Sequence, residues 1–371
     1  MLSLDNSYDP DDLHGFETRI RNILKTDEPI EYALELKLDG LGVSLRYEGG
    51  SLVRGLTRGN GTEGEDVTEN LCTISNIPKR IPYSDTIEIR GEVILPHDEF
   101  ARINRERAAL GEKLFANPRN AASGSVRQLD SAVTAGRGLR FYAYSCPILE
   151  DGSIERYSEV IERLGSFGFE TTKIFFETHS DIEQLIVRIA ELTTHRPAPG
   201  FDTDGMVVKM NRIADWGRVG FTAHHPRYAI AYKFPAELAR TRIADILHSV
   251  GRSGTVTPVA ILDATAIGGV TVGRATLHNY SELAIKDIRI GDHAWLMRAG
   301  EVIPEIVSVI IDARDGSEMP VHRPDTCPVC GTALAQDEGK IAWYCPNRSS
   351  CPAQLQGGME VFVGKHGMDI A

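Results

Sequence analysis

One lysine of this chain lies where a strand-like segment carries charge on one face. Lys37 is in the middle of YALELKLDGLGVSLRYEGG, residues 32–50. Because side chains alternate between the two faces of a strand, Glu35, Lys37 and Asp39 share one face and the leucines between them share the other. The apolar positions change phase at Asp39-Gly40, which predicts a turn or bulge between two strands. Alone, this pattern also fits a solvated strand face with weak ion pairs.

Three later strand-like runs each embed a charged residue in the same way. They are EIRGEVIL with Glu92, DGMVVKM with Lys209 and AIAYKF with Lys233. Four such runs indicate strands that line a cleft. A lysine amine is a nucleophile only when it is unprotonated, and neighbouring cations and partial burial lower a lysine pKa. We therefore expect Lys37 to be the nucleophile. Lys209 and Lys233 are expected to neutralise a phosphate, and Glu92 to hold a ribose hydroxyl or a divalent cation.

Four cysteines near the C-terminus predict a metal centre. CPVCG and YCPNRSSC give the spacing C-x2-C-x14-C-x5-C. In a reducing compartment this crowding favours a metal over disulfides. Four thiolates complete a tetrahedral zinc shell and leave no open coordination position, so the zinc is expected to be structural. The predicted ligands are Cys327, Cys330, Cys345 and Cys351.

A glycine-rich stretch, RGNGTEG, matches the dinucleotide-binding pattern G-x-G-x-x-G. That fingerprint requires a βαβ unit with an acidic residue about twenty positions further on. The sequence that follows does not show the alternation of strands and helices that is typical of a parallel sheet, so we interpret the stretch as a loop.

The elements that position these residues are predicted to be mixed. Short amphipathic helices are expected at 11–25 and 97–112, and a helix-strand-helix stretch at 158–192, among strand-like runs. From about residue 239 to 315 the chain reads as short strands separated by Gly, Pro and Asp, which favours a small closed barrel of OB-fold size. The fold class is therefore α+β.

Composition limits the class of protein. A chain of 371 residues is expected to form two or three domains. It has no run of 18 apolar residues and no signal-peptide pattern, so we expect a cytoplasmic protein without membrane association. The formal charge of −12 argues against a generally basic nucleic-acid binder. Any DNA-binding face must be a patch, and residues 97–140 hold eight basic against five acidic residues.

Together these motifs resemble a known family. Lys37-Leu38-Asp39-Gly40 matches the K-x-D-G of covalent nucleotidyltransferases, and the later strands match the remaining motifs of that superfamily in order. The chain is more narrowly similar to bacterial NAD-dependent DNA ligases, in MLSLDN, TRGNGTEGEDVTEN, FANPRNAASGSVRQLD, VGRSGTVTPVA, GRATLHN and the cysteine spacing.

The resemblance implies four segments. They are a nucleotidyltransferase (adenylation) domain at 1–237 with ATP-grasp-like antiparallel sheets and helices, a five-stranded OB-fold at 238–316, a four-cysteine zinc finger at 317–352 and a tail at 353–371. It also implies a monomeric ligase of DNA replication, repair and the response to DNA damage. Its substrates would be nicked duplex DNA and NAD, with Mg²⁺ (or Mn²⁺) and Zn²⁺ as metals. Lys37 would form a lysyl-AMP and pass the AMP to the 5′-phosphate of the nick. The 3′-hydroxyl would then attack this phosphate and displace the AMP.

Residue roles follow from motif position. Glu35 resembles the residue that reads the adenine edge, and Tyr144 the aromatic residue that stacks on the base. Asp39 and Glu92 resemble the pair that positions ribose and magnesium, and Leu38 belongs to the same nucleotide-binding motif. The residues that resemble cations holding the AMP phosphate, the leaving group or the nick phosphate are Arg58, Arg119, Arg127, Lys209 and Lys233. The resemblance also implies DNA-phosphate contacts from Arg252, Arg274 and Arg298.

The chain also departs from the family pattern. Members of the family begin with a helical domain that recognises the nicotinamide mononucleotide half of NAD, and helix-hairpin-helix and BRCT domains follow the zinc module. This sequence starts at MLSLDN and stops at GKHGMDIA, so we expect its adenylation by NAD to be impaired.

Two alternative functions remain open at this point. One is an ATP- or GTP-dependent relative, such as an RNA ligase or capping enzyme, although the cysteine module and GRATLHN favour the NAD-using branch. The other is a catalytically silent remnant that binds adenine nucleotide and DNA. The intact set of Lys37, Glu92, Lys209 and Lys233 weighs against this second alternative.

Overall fold

The computed structural model divides the chain into two compact units, residues 1–235 and 236–371. The structure describes residues 3–59, 61, 63–151, 154–235, 237–267, 270–299, 303–337, 339–364, 367–368 and 370. Among these residues, no helix combines the length and the apolar character needed to span a bilayer.

The first unit is built on two sheets. Its strands are β1 (Asp5–Ser7), β2 (Tyr32–Leu38), β3 (Leu41–Glu48), β4 (Ser51–Thr57), β5 (Ile87–Ile94), β6 (Arg140–Ser145), β7 (Phe176–His179), β8 (Thr203–Met210) and β9 (Ala229–Lys233). One sheet has the order β1-β9-β8-β2-β7 and the other the order β4-β3-β5-β6. All neighbours pair antiparallel except β1 with β9.

Helices cover these sheets, and one apolar core joins the elements of the unit. The helices are α1 (Pro10–Leu24), α2 (Thr68–Leu71), α3 (His97–Ala109), α4 (Pro118–Val126), α5 (Ser131–Ala135), α6 (Tyr157–Ser166), α7 (Ile182–Thr194) and α8 (Trp216–Val219). Helix α1 shows how the sequence determines where a helix starts and which face it buries. The Asp9 carboxylate accepts the amide of Asp12 at its start, and Leu13, Phe16 and Ile20 bury one face.

The predicted break after Lys37 is confirmed: β2 ends at Leu38 and β3 starts at Leu41. Gly40 is required there by close packing, because a Cβ atom at this position would lie 2.2 Å from the carbonyl oxygen of Val93 in β5. The glycine therefore lets the chain pass from one sheet to the other.

The second unit contains the predicted barrel, which is closed in the order β10-β11-β12-β15-β14. The strands of the unit are β10 (Leu238–Val250), β11 (Val256–Ile267), β12 (Val270–Thr276), β13 (Arg289–Ile290), β14 (His293–Ala299), β15 (Ile303–Val309), β16 (Met319–Pro320), β17 (Ala335–Gln336) and β18 (Trp343–Tyr344). Its helices are α9 (Tyr280–Ile285) and α10 (Pro352–Val363). The α+β class and the five-stranded barrel predicted from the sequence are confirmed.

Candidate active site and metal centre

The charged residues of β2, β8 and β9 share one face of the first sheet. In the antiparallel register, Lys37 lies opposite Gly205, and Gly205 lies opposite Lys233. Since directly paired residues point to the same side, both lysines project from the face that also carries Glu35. A glycine is required between the two lysines, because a Cβ atom at position 205 would lie only 2.2 Å from the carbonyl oxygen of Tyr232.

A β-bulge adds a carboxylate that the sequence analysis missed. The register moves from Lys37–Gly205 to Leu38–Thr203, so Asp204 is the extra residue of β8. Simple alternation would point Asp204 away from the cleft, but a bulge redirects a side chain. One oxygen of Asp204 lies 3.2 Å from Lys37 Nζ, and the other accepts a hydrogen bond from Lys233 Nζ. Lys37 is therefore paired with a buried acid that also holds Lys233.

The other end of this face combines a buried acid with a lysine and a tyrosine ring. Lys209 Nζ lies 2.7 Å from Glu35 Oε1 and 5.8 Å from the centre of the Tyr144 ring. Lys209 is predicted from its motif to hold a phosphate, and its amine lies beside Glu35 and Tyr144, the two residues expected to contact the base. Glu35 also accepts hydrogen bonds from Tyr157 and Thr172, two contacts that no sequence pattern indicated.

Glu92 approaches Lys37 from the second sheet. Burial raises the pKa of Glu92 to about 7, and the charges of Lys37, Arg119 and Arg58 act against that rise. Burial also raises the pKa of the Tyr144 phenol well above its ordinary value. The two sheets therefore present their charged residues to a common cleft.

Asp39 and Leu38 of the K-x-D-G motif differ in their surroundings. The buried carboxylate of Asp39 accepts a hydrogen bond from Arg119 Nη1 at 2.6 Å. Leu38 belongs to the apolar core of the unit instead. The amide of Asp39 donates to the carbonyl of Asp202 at 3.1 Å, which ties the motif to the segment that carries the bulge.

Four further arginines are predicted to bind phosphate groups. Arg127 is exposed at the end of α4 and donates to Glu65 at 2.5 Å. In the second unit, Arg252 is exposed in the loop between β10 and β11, and Arg274 is exposed on β12. Arg298 belongs to β14, but its side chain lies outside the described residues.

The four cysteines form a cluster that fits a zinc ion. Their Sγ atoms all lie within 4.8 Å of one another. Cys327 and Cys351 are 3.9 Å apart, and Cys330 and Cys345 are 3.5 Å apart. The edge of a tetrahedron with zinc–sulfur bonds of about 2.3 Å is ~3.8 Å. None of the four is in a disulfide, so the predicted ligand set is brought together with a suitable geometry.

Three family models match successive parts of the chain. The model of the NAD-dependent DNA ligase adenylation domain matches residues 1–237. The NAD-dependent DNA ligase OB-fold domain matches 240–318, and the C4 zinc finger domain of the same enzymes matches 326–353. These are NAD-dependent models, and they give no support to an ATP- or GTP-dependent relative, a silent remnant or impaired adenylation.

Curated relatives agree with this assignment. The chain is 46% identical over 371 residues to a DNA ligase of Carboxydothermus hydrogenoformans, and 45% identical over 370 residues to that of Bacillus subtilis. In both cases the match covers 100% of this chain and 55% of the relative, so the chain spans about half the length of these relatives. A solved structure titled as an analysis of Lig E DNA ligases is 15% identical, with a TM-score of 0.46 over 83% of this chain and 98% of that one.

Proposed function

The chain belongs to the family of NAD-dependent DNA ligases, and on that basis we propose that it seals nicks in duplex DNA through a lysyl-AMP at Lys37. The observation that supports this most is the position of the Lys37 amine, 3.2 Å from the buried Asp204 and on the same face as Lys233 and Glu35. An amine paired in this way is directed into the cleft and has an adjacent carboxylate that can take its proton as it reacts.

In the first step, the lone pair of Lys37 Nζ attacks the α-phosphorus of NAD. A phosphorus–nitrogen bond forms, the bond to the bridging oxygen breaks, and nicotinamide mononucleotide leaves. The amine proton passes towards Asp204. In the second step, an oxygen of the 5′-phosphate of the nick displaces Lys37 from the adenylate. In the third, the 3′-hydroxyl loses its proton and attacks that 5′-phosphorus, and AMP leaves. The activation of the NAD phosphoanhydride is therefore kept in the two adenylates and is spent only when the phosphodiester forms.

The base would bind at the opposite end of the sheet face. Glu35 offers an acceptor and Lys209 a donor, 2.7 Å apart, and the edge of adenine presents a 6-amino donor beside an N1 acceptor. Tyr144 would stack on the base. This assigns Lys209 to the base, not to the phosphate.

Ribose and phosphates would lie between the base and Lys37. Asp39 and Glu92 are the oxygen ligands available for the ribose and for a Mg²⁺ or Mn²⁺ ion, which would neutralise phosphate charge. Arg58, Arg119, Arg127 and Lys233 would hold the phosphates. Arg252, Arg274 and Arg298 of the barrel unit would contact the DNA backbone of a nicked duplex, and the four cysteines would hold Zn²⁺. We further propose a monomeric, cytoplasmic enzyme of DNA replication and repair.

Two measurements test the proposal on the full chain. Intact-mass spectrometry after incubation with NAD and Mg²⁺ is expected to show the addition of one adenylyl group, located at Lys37 by peptide mapping. A nicked duplex with a preformed 5′-adenylate is expected to be sealed. Lys37→Ala should lose the mass increase but retain sealing of the preadenylated nick.

Lys173→Ala is the matched control, since Lys173 is exposed and pairs only with the exposed Glu162 in its described contacts. Adenylation of the Lys37→Ala chain would show that another residue is the nucleophile. Failure of the wild-type chain in both assays would reject ligase activity altogether.

A further inference from the structure

Tyr157 connects the residues at the base end of the cleft, although no motif contains it. It is fully buried at the start of α6, where its amide donates to the carbonyl of Asn211 at 2.7 Å. Its hydroxyl oxygen receives a hydrogen bond from Lys209 Nζ at 2.5 Å. The same oxygen lies 3.1 and 3.0 Å from the two carboxylate oxygens of Glu35 and 2.7 Å from the carbonyl oxygen of Tyr144.

The hydroxyl of Tyr157 remains a donor. Burial, followed by the negative charge of Glu35, raises the pKa of the Tyr157 phenol well above its ordinary value. Thr172 Oγ1 donates to Glu35 Oε2 at 2.6 Å from another direction. Glu35 is therefore contacted by the hydroxyl groups of Tyr157 and Thr172 and by the ammonium group of Lys209, and these donors leave it as a hydrogen-bond acceptor.

We propose that Tyr157 is a positioning residue that sets the preference of this site for adenine over 6-oxo purines. It does so by holding Glu35 as an acceptor and Lys209 as a donor side by side. The inference rests on the proposed function and deepens it, since it concerns which base the nucleotide-binding cleft accepts.

The preference follows from the pattern of donors and acceptors. Adenine presents a donor at its 6-position and an acceptor at N1, which complement Glu35 and Lys209. Hypoxanthine presents an acceptor at the 6-position and a donor at N1, so both contacts would be mismatched. A buried polar group left without its partner loses more binding energy than a missing apolar contact does, which makes this arrangement selective.

Replacing the hydroxyl should relax that selectivity. In Tyr157→Phe, the ring keeps its contacts with Phe176 and Trp216, whose centres lie 5.9 and 5.8 Å away. Lys209 loses an acceptor and Glu35 a donor, so both side chains gain other orientations. Because hydrogen bonds to charged groups are among the stronger ones, we expect the preference for AMP over IMP to fall by about tenfold.

The experiment is calorimetric titration of the full chain with AMP and with IMP. Wild type, Tyr157→Phe and Tyr47→Phe are compared, with thermal melts to check folding. Tyr47 is the matched control, because it is equally buried and its hydroxyl donates to the Pro78 carbonyl at 2.7 Å, with no described contact to Glu35 or Lys209. The ratio of the two dissociation constants is expected to fall in Tyr157→Phe and to remain at the wild-type value in Tyr47→Phe.

The ratio separates positioning from a merely structural role, since a general loosening of the fold weakens both nucleotides alike. Equal weakening of AMP and IMP in a folded Tyr157→Phe chain overturns the inference. If the wild type prefers AMP and Tyr157→Phe keeps that preference, the inference fails while the proposed function stands. If the wild type binds neither nucleotide, both fail.

A second variant covers the case in which Tyr157→Phe does not fold. Thr172→Val removes the other hydroxyl donor to Glu35 and leaves α6 untouched. It is expected to lower the ratio in the same direction but by less, because Lys209 keeps its contact with Tyr157. An unchanged ratio in Thr172→Val would show that the donors around Glu35 do not decide which base is bound.

Discussion

At the scale of single residues, one carboxylate controls the geometry of two amines. Asp204 lies between Lys37 and Lys233, contacts both, and is buried. Without it, the ammonium groups of Lys37 on β2 and Lys233 on β9, the two strands that flank β8, would face each other with no compensating charge. A buried acid between them therefore fixes the direction of the Lys37 amine and offers a place for its proton.

Asp204→Asn should slow the formation of lysyl-AMP by about a hundredfold, because an amide is a poor proton acceptor and orients an ammonium group less strongly. The measurement is a single-turnover reaction with NAD, quenched over time and quantified by intact mass. Asp202→Asn is the control. Asp202 is two residues before Asp204 on the same segment, and its carboxylate contacts His97 at 2.7 Å instead of a lysine.

A rate that is unchanged in Asp204→Asn would contradict the role of the acid. Equal slowing in both variants would point to damage of the whole segment, and a thermal melt of each variant distinguishes that outcome. Only a selective loss in Asp204→Asn agrees with the contact between its carboxylate and Lys37.

The sequence indicated part of this site and not the rest, for reasons that are local. Alternation along β2 placed Glu35 and Lys37 on one face, and the K-x-D-G motif identified the lysine. Asp204 carried no such signal, because alternation along β8 would turn it to the other face and a bulge cannot be read from a period of two. Tyr157 lies 122 positions from Glu35 and starts a helix, so its contact depends on tertiary packing.

At the scale of elements, the cysteine module supports the hairpin between β10 and β11. The amide of Cys345 donates to the carbonyl of Gly254 at 2.8 Å, and Thr255 pairs with Tyr344. Gly254 has φ +85°, and a Cβ atom there would lie 2.5 Å from the Cys345 carbonyl oxygen. Val250 packs on the cysteine cluster. The cysteine spacing predicted the metal centre but not this contact.

Removal of the metal should therefore loosen the hairpin that carries Arg252. Zinc binding and folding of such a module are coupled, so loss of zinc frees the Cys345 amide from Gly254. Hydrogen exchange read by mass spectrometry, before and after treatment with a chelator, should show faster exchange at residues 250–256. Strand β14, on another part of the barrel, should exchange at its original rate.

Gly254→Ala should have the same effect while zinc stays bound, because the added methyl group cannot fit against Cys345. Gly251→Ala is the matched control in the same loop, where the nearest atom to an added Cβ is 3.8 Å away. Unchanged exchange in the hairpin of both the chelated chain and Gly254→Ala would rule out the support that we describe.

The barrel unit should also lose stability in mild acid through His248. Burial lowers the pKa of this imidazole, Asp245 acts in the opposite direction, and Nδ1 lies 2.8 Å from the Tyr280 hydroxyl. Since the folded pKa is below the unfolded one, the unfolded chain binds more protons. The contribution of His248 is complete above its unfolded pKa of about 6.5, and it is lost as the pH falls below that value through the lower folded pKa.

Thermal melts across this range should show a smaller loss of stability in His248→Gln than in the wild type, because glutamine does not titrate. Titration of the histidine ring signals by nuclear magnetic resonance gives a direct check, with His248 identified by its absence in the variant. An imidazole that titrates at or above its ordinary pKa would contradict the prediction.

At the scale of the whole molecule, the chain and its proposed DNA partner are both negatively charged. The chain carries a formal charge of −12, and DNA is a polyanion, so long-range electrostatics oppose their association. Binding must come from local groups. Within the barrel unit, Arg252 and Arg274 are exposed, with no side-chain ion pair among the described residues, and are therefore available to phosphates.

The binding of DNA phosphates by a few local arginines predicts how the DNA affinity depends on salt concentration. Each arginine that neutralises a phosphate releases counterions, so Arg252→Ala and Arg274→Ala should each reduce the slope of log affinity against log salt by about 1, whatever the DNA sequence. Fluorescence anisotropy with a labelled nicked duplex over a salt series measures the slope. Arg188→Ala is the control, since that guanidinium is held by Glu177 and Glu191. With both barrel arginines removed, the slope should be smaller than that of the wild type by about 2. A slope equal to that of the wild type would place the DNA on another face of the molecule.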